Sequence, residues 1–142
     1  MNAGKVAAAI ACCCCVCPGD VIFTLADVSI SCHCAGGDIT CDCAGSLAWT
    51  GGEFTCSYEG GCSVLPCGPI FVSMYWYSGS GWYIDFFFQS DPGSPCAGES
   101  FDTISGIPVH FTDSCSPDGT YSLDLYGSSG GTGTVTFTIT GP

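Results

Sequence analysis

Residues 70–89 read Ile-Phe-Val-Ser-Met-Tyr-Trp-Tyr-Ser-Gly-Ser-Gly-Trp-Tyr-Ile-Asp-Phe-Phe-Phe-Gln, and this stretch decides the fold. Two apolar runs, Ile70 to Tyr77 and Trp82 to Gln89, flank the turn-forming Ser78-Gly79-Ser80-Gly81. With a period of two, Ile70, Val72, Met74 and Trp76 share one face of the first run. Trp82, Ile84, Phe86 and Phe88 do so on the second. The opposite faces carry Phe71, Tyr75, Tyr77, Tyr83 and Phe87. Strands that are apolar on both sides suit the centre of a sheet with each face covered. The second aromatic face is therefore expected to be buried, inside the protomer or across an interface. The competing reading is an exposed patch that binds a glycan or a subunit.

The rest of the chain after Asp20 has the same grammar. Val21 to Leu25 places Val21, Phe23 and Leu25 on one face. Ser46 to Thr50 and Glu53 to Tyr58 flank Gly51-Gly52, a two-residue hairpin signal. Ile107 to Thr112, Tyr121 to Tyr126 and Thr134 to Thr140 follow, the last with Val135, Phe137 and Ile139 inward and threonines outward. Strands at this spacing between Gly/Ser/Pro turns predict an all-β fold, an antiparallel sandwich or barrel. No long helix is expected after residue 17. Residues 1–17 are read as a separate cysteine-rich arm and 18–142 as a β-sandwich domain, with Pro18-Gly19 at the boundary. Asn2 to Ala11 is alanine-rich and predicts a helix of two or three turns, marginal alone in water and suited to docking.

Fourteen cysteines in 142 residues call for an oxidising final environment, since a reducing cytosol would leave most of them unpaired. Five crowd into the arm: Cys12, Cys13, Cys14, Cys15 and Cys17. Nine lie in the body: Cys32, Cys34, Cys41, Cys43, Cys56, Cys62, Cys67, Cys96 and Cys115. Close neighbours rarely bridge each other, and nine is odd. At least one arm cysteine must therefore reach the body or another chain, or stay free. Cys32-His33-Cys34 and Cys41-Asp42-Cys43 offer four thiolates for zinc as the alternative to disulfides. C-x-C is not the usual zinc spacing, so bridges are the plainer reading. Soft-metal binding by the Cys12 to Cys17 run is disfavoured by the aromatic body, which metallothionein-like chains lack.

Charge excludes several classes. Lys5 is the only basic residue besides two histidines, and thirteen acidic residues give a net charge of −12. Such a surface repels phosphate, so no nucleic-acid partner is expected. No stretch approaches the roughly 20 apolar residues of a membrane span. Val6 to Ala11 falls short of a signal-peptide core, so cleavage before Cys12 is not expected. Asp113 and Asp118, in Asp113-x-Ser-x-Ser-Pro-Asp118-Gly119, faintly resemble a calcium loop. Without the spaced carboxylates of one, an Asp-Gly turn is preferred. His33 and His110 are the only histidines and no G-x-S-x-G elbow exists. No catalytic residue, no cofactor and no enzymatic activity are expected.

Cys17-Pro18, Cys32-x-Cys34, Leu47-x-Trp49-x-Gly51 and the terminal run Gly131 to Thr140 together resemble cysteine-rich, Gly/Thr-rich β proteins of planctomycete genomes and phage structural gene clusters. The resemblance implies a structural or surface role. The expected function is a non-enzymatic virion component: a capsid decoration, neck or tail surface protein, extracellular and partnered by structural subunits that include itself. The alternatives are a subunit of an extracellular filament or surface layer locked by intermolecular disulfides, and a secreted carbohydrate-binding lipoprotein.

Overall fold

The computed structural model describes residues 16–52, 55–104 and 107–142. The arm helix expected over Asn2 to Ala11, and Cys12 to Cys15, lie outside the described residues. Among the described residues nine strands follow one another: β1 Ile22–Cys34, β2 Gly37–Gly51, β3 Thr55–Val64, β4 Gly68–Tyr77, β5 Gly81–Gln89, β6 Ser100–Asp102, β7 Val109–Thr112, β8 Gly119–Gly127 and β9 Thr132–Thr140. All pairings are antiparallel. The order β4-β3-β2-β1-β9-β8-β6-β5 closes on itself through β4–β5, giving an eight-stranded barrel. The ninth strand, β7, shares an edge of β5 with β6: Phe87 faces Asp102 of β6, and Tyr83 faces His110 of β7. Closure removes the open sheet edges that a sandwich would have to protect.

The hairpin of residues 70–89 is borne out, whereas Gly51 belongs to β2 and lies opposite Ser57, so the expected two-residue Gly51-Gly52 turn is not formed. β4 and β5 pair from Ile70↔Phe88 to Tyr77↔Gly81, and Ser80 N–H donates to the Tyr77 carbonyl across the turn. β2 and β3 pair from Ser46↔Gly61 to Gly51↔Ser57. β1 runs far beyond the Val21–Leu25 expected, because a bulge resets its alternation. Its pairing with β2 shifts register between Leu25 and Val28, where Asp27 takes a φ of 50°. Leu25 and Val28 therefore both point inward, followed by Ile30, Cys32 and Cys34 at every second position.

Inward side chains fill the barrel. Phe23, Leu25, Tyr58, Met74, Trp82, Phe86, Phe88, Phe101, Val135 and Phe137 are all buried. The two ends are closed by different chemistry. Where β1 begins and β4 ends, Phe23, Tyr58, Trp76 and Trp82 interlock, with Phe23 and Tyr58 edge-to-face at 4.9 Å and Trp76 and Trp82 at 5.5 Å. Where β1 ends, three bridges gather: Cys34–Cys96, Cys41–Cys67 and Cys43–Cys62. A fourth, Cys17–Cys56, ties the last arm cysteine to β3 at the aromatic end. The cluster thus reaches the body, one of the outcomes that the odd count required. Cys115 is disulfide-bonded as well.

The C-x-C repeats fall on facing strands, with Ile30 opposite Cys41 and Cys32 opposite Ile39. Cys34, Cys41 and Cys43 are each bridged, which leaves only the Cys32 thiol of the four weighed for zinc. Four bridges in one small barrel point to an oxidising, extracellular or secreted environment. Among the described residues no helix is long and apolar enough to cross a membrane.

Candidate functional site

Two-sided burial of β4 and β5 within the protomer is not observed. In a closed barrel every strand has one inner and one outer face, and the outer one here is covered only in part, by His110 against Tyr83 and by Thr103 at Asp85. Phe71 is 59% exposed, Phe87 41% and Tyr77 36%, while Tyr75 and Tyr83 are half-exposed. Register gathers these into two neighbouring groups. Phe71 lies directly opposite Phe87, and Tyr75 opposite Tyr83. Phe71 and Phe87 tilt together at 6.5 Å. Tyr75 stacks on Tyr77 at 6.1 Å, and Tyr77 meets the edge of Tyr83 at 5.1 Å.

Between the phenylalanine pair and the tyrosine group runs a polar row. Glu59 of β3 faces Ser73 of β4, which faces Asp85 of β5. Asp102 lies opposite Phe87 at the next strand. Glu59 is exposed, and Asp85 and Asp102 are half-buried. The Thr103 hydroxyl donates to Asp85 Oδ1 at 2.8 Å. Burial holds the Asp85 carboxyl above the usual carboxylate range. The Thr103 hydrogen bond opposes that shift, and the nearby Asp102 charge adds to it. Because the folded state disfavours the ionised form, Asp85 weakens the fold above the unfolded pKa. That cost fades as pH falls through the raised folded pKa. Asp85→Asn keeps an acceptor for Thr103, so thermal melts at pH 7 should show a higher Tm than the parent, with the gap closing near pH 3. A lower Tm at pH 7 would contradict the burial cause.

Among the described residues the remaining polar groups serve separate structural partners. His33 and Cys32 are adjacent in sequence but point to opposite sides of β1, His33 outward and Cys32 into the core. His33 Nδ1 pairs with Asp38 across the β1–β2 hairpin. Burial, then the Glu99 charge, pushes the Cys32 thiol up to about 12, so it stays protonated and unreactive at neutral pH. Glu99 itself is buried and structural. Its Oε2 accepts from Gly131 N–H at 2.6 Å, beneath the β8–β9 turn. A Cβ at Gly127 or Gly131 would collide with that carboxylate, so both positions need glycine.

At the aromatic end His110 Nε2 meets Asp113 Oδ1 at 2.8 Å and packs its ring against Tyr83 at 5.3 Å. The two carboxylates of the faint calcium motif serve different partners. Asp113 holds His110, whereas Asp118 accepts from Gly141 N–H at 2.8 Å. Among the described residues no group of three or more metal-ligating side chains converges.

Comparison with protein-family models, with curated proteins and with solved structures finds no match to this chain.

Proposed function

We propose that this protein is a non-enzymatic structural component of an extracellular assembly, a phage virion protein of the capsid-decoration, neck or tail-surface kind, docked through the outer face of β4 and β5. The observation that carries the reading is the aromatic field Phe71, Tyr75, Tyr77, Tyr83 and Phe87, left outside a barrel whose interior is already filled. Clustered exposed aromatic side chains are uncommon on a free monomer, and aromatic residues are enriched where proteins meet. The face lies on a hairpin paired without a register shift from Ile70↔Phe88 to Tyr77↔Gly81, so it is pre-organised for docking. Bridges from β1, β2 and β3 to their neighbours suit a part that must keep its shape outside the cell.

The test is composition. Particles purified by density gradient from the source culture, digested with an acid-specific protease because Lys5 is the only tryptic site, should yield peptides of residues 18–142 in fixed proportion to the major particle protein. Recovery of the chain only from the particle-free supernatant refutes the virion assignment.

A further inference from the structure

The outer face pairs aromatic rings with carboxylates, and that combination selects a partner. Glu59, Asp85 and Asp102 sit between and beside Phe71, Phe87, Tyr75 and Tyr83. Among the described residues there is no lysine or arginine to stand near them. We infer that this face binds a protein segment presenting arginine or lysine side chains between apolar ones, and not a second copy of this chain. The inference rests on the docking role proposed above and adds the chemistry of the partner.

The reasons are electrostatic and geometric. Two copies meeting through this face would bring a net charge of −12 against −12, with like charges juxtaposed and no cation on the described surface to pair them. A guanidinium satisfies both halves of the face at once. Its planar fork pairs with a carboxylate, and its flat surface stacks on an aromatic ring. The half-buried Asp85 gains most from such a partner, since its charge is poorly solvated and held only by the hydroxyl and backbone N–H of Thr103. The apolar residues of the segment would cover Phe71 and Phe87, and the cations would lie along Glu59, Ser73 and Asp85. A neutral glycan would stack on the rings but leave three carboxylates without a counter-charge. Phosphate-bearing partners are repelled.

The test uses the full-length oxidised protein and three fluorescein-labelled ten-residue peptides: alternating Arg-Leu, alternating Arg-Ser and alternating Glu-Leu. Fluorescence anisotropy should show Arg-Leu binding at least tenfold more tightly than Arg-Ser, and no binding of Glu-Leu. Phe71→Ser with Phe87→Ser, and separately Glu59→Gln with Asp85→Asn, should each weaken Arg-Leu binding at least tenfold. Asp42→Asn with Asp124→Asn removes two charges from exposed positions on β2 and β8 and should change it less than threefold. Equal loss from that distant pair would reduce the effect to non-specific charge attraction and overturn the inference. Sedimentation velocity separates the two readings. Self-association abolished by Phe71→Ser with Phe87→Ser would overturn the cationic partner while keeping the docking role. Binding of a neutral oligosaccharide that depends on Tyr75 and Tyr83, with no response to the Arg-Leu peptide, would overturn both.

Discussion

Reduction of the disulfides should abolish cooperative folding of this chain. Cys34–Cys96 closes a segment with a sequence separation of 62, Cys17–Cys56 one of 39, Cys41–Cys67 one of 26 and Cys43–Cys62 one of 19. Loop-closure entropy assigns about 4 kcal/mol to the longest and roughly 3 kcal/mol to the shortest. Overlapping loops are not additive, yet their joint effect is comparable with the whole stability of a typical domain, about 5–15 kcal/mol. The barrel depends on long-range pairings of β1 with β9 and of β6 with β8, which the unfolded chain must find at full entropic cost. Near-ultraviolet circular dichroism in excess reductant should lose its aromatic signal, and no thermal transition should survive. Removal of one bridge, by Cys34→Ala with Cys96→Ala, should cost about 4 kcal/mol and leave a cooperative melt at lower temperature. A reduced protein that melts within a few degrees of the oxidised one would mean that the core alone sustains the fold.

Much of the architecture was legible in the sequence because β4, β5 and β9 alternate without interruption. Residues 70–77, 82–89 and 134–140 all became strands with the inward faces expected of them. The long hairpin of β1 and β2 was harder to see. From Ala26 to Gly45 only Val28, Ile30, Ile39 and Thr40 are strong strand formers among serine, aspartate, glycine, alanine and cysteine, and the bulge at Asp27 breaks the period. Counting cysteine as apolar exposes the pattern: Val28, Ile30, Cys32 and Cys34 alternate inward. β6 has only three residues and owes its existence to its neighbours β5 and β8.

The candidate site was half-legible. Its aromatic residues were named from the sequence, but an apolar second face means burial in a layered sandwich and exposure on a closed barrel. The choice depends on pairings distant along the chain. The acidic row was missed because Glu59, Asp85 and Asp102 belong to three different strands. Only the register of β3, β4, β5 and β6 brings them beside the rings.

The same division of faces makes Trp82 the most costly single side chain to truncate. It is fully buried, and its ring meets Phe23 at 5.8 Å, Tyr58 at 6.0 Å and Trp76 at 5.5 Å, closing the aromatic end of the barrel. Its indole N–H donates to the Cys115 carbonyl at 3.3 Å. Trp82→Ala removes transfer free energy, leaves a cavity among rigid rings and orphans that carbonyl, so about 3–5 kcal/mol should be lost. At roughly 2–4 °C per kcal/mol for a chain near this size, Tm should fall on the order of 10 °C. Phe71→Ala deletes a large ring from the outer face of the neighbouring strand, where the side chain is already mostly in water, and should change stability by no more than about 0.5 kcal/mol. The contrast is sharper than either value, because both residues are large aromatics on the same β-hairpin and differ chiefly in which way the pleat turns them. Denaturant titration of the two variants under oxidising conditions measures it. Similar losses from both would mean that Phe71 is covered in the free protein and that the outer face is part of the core.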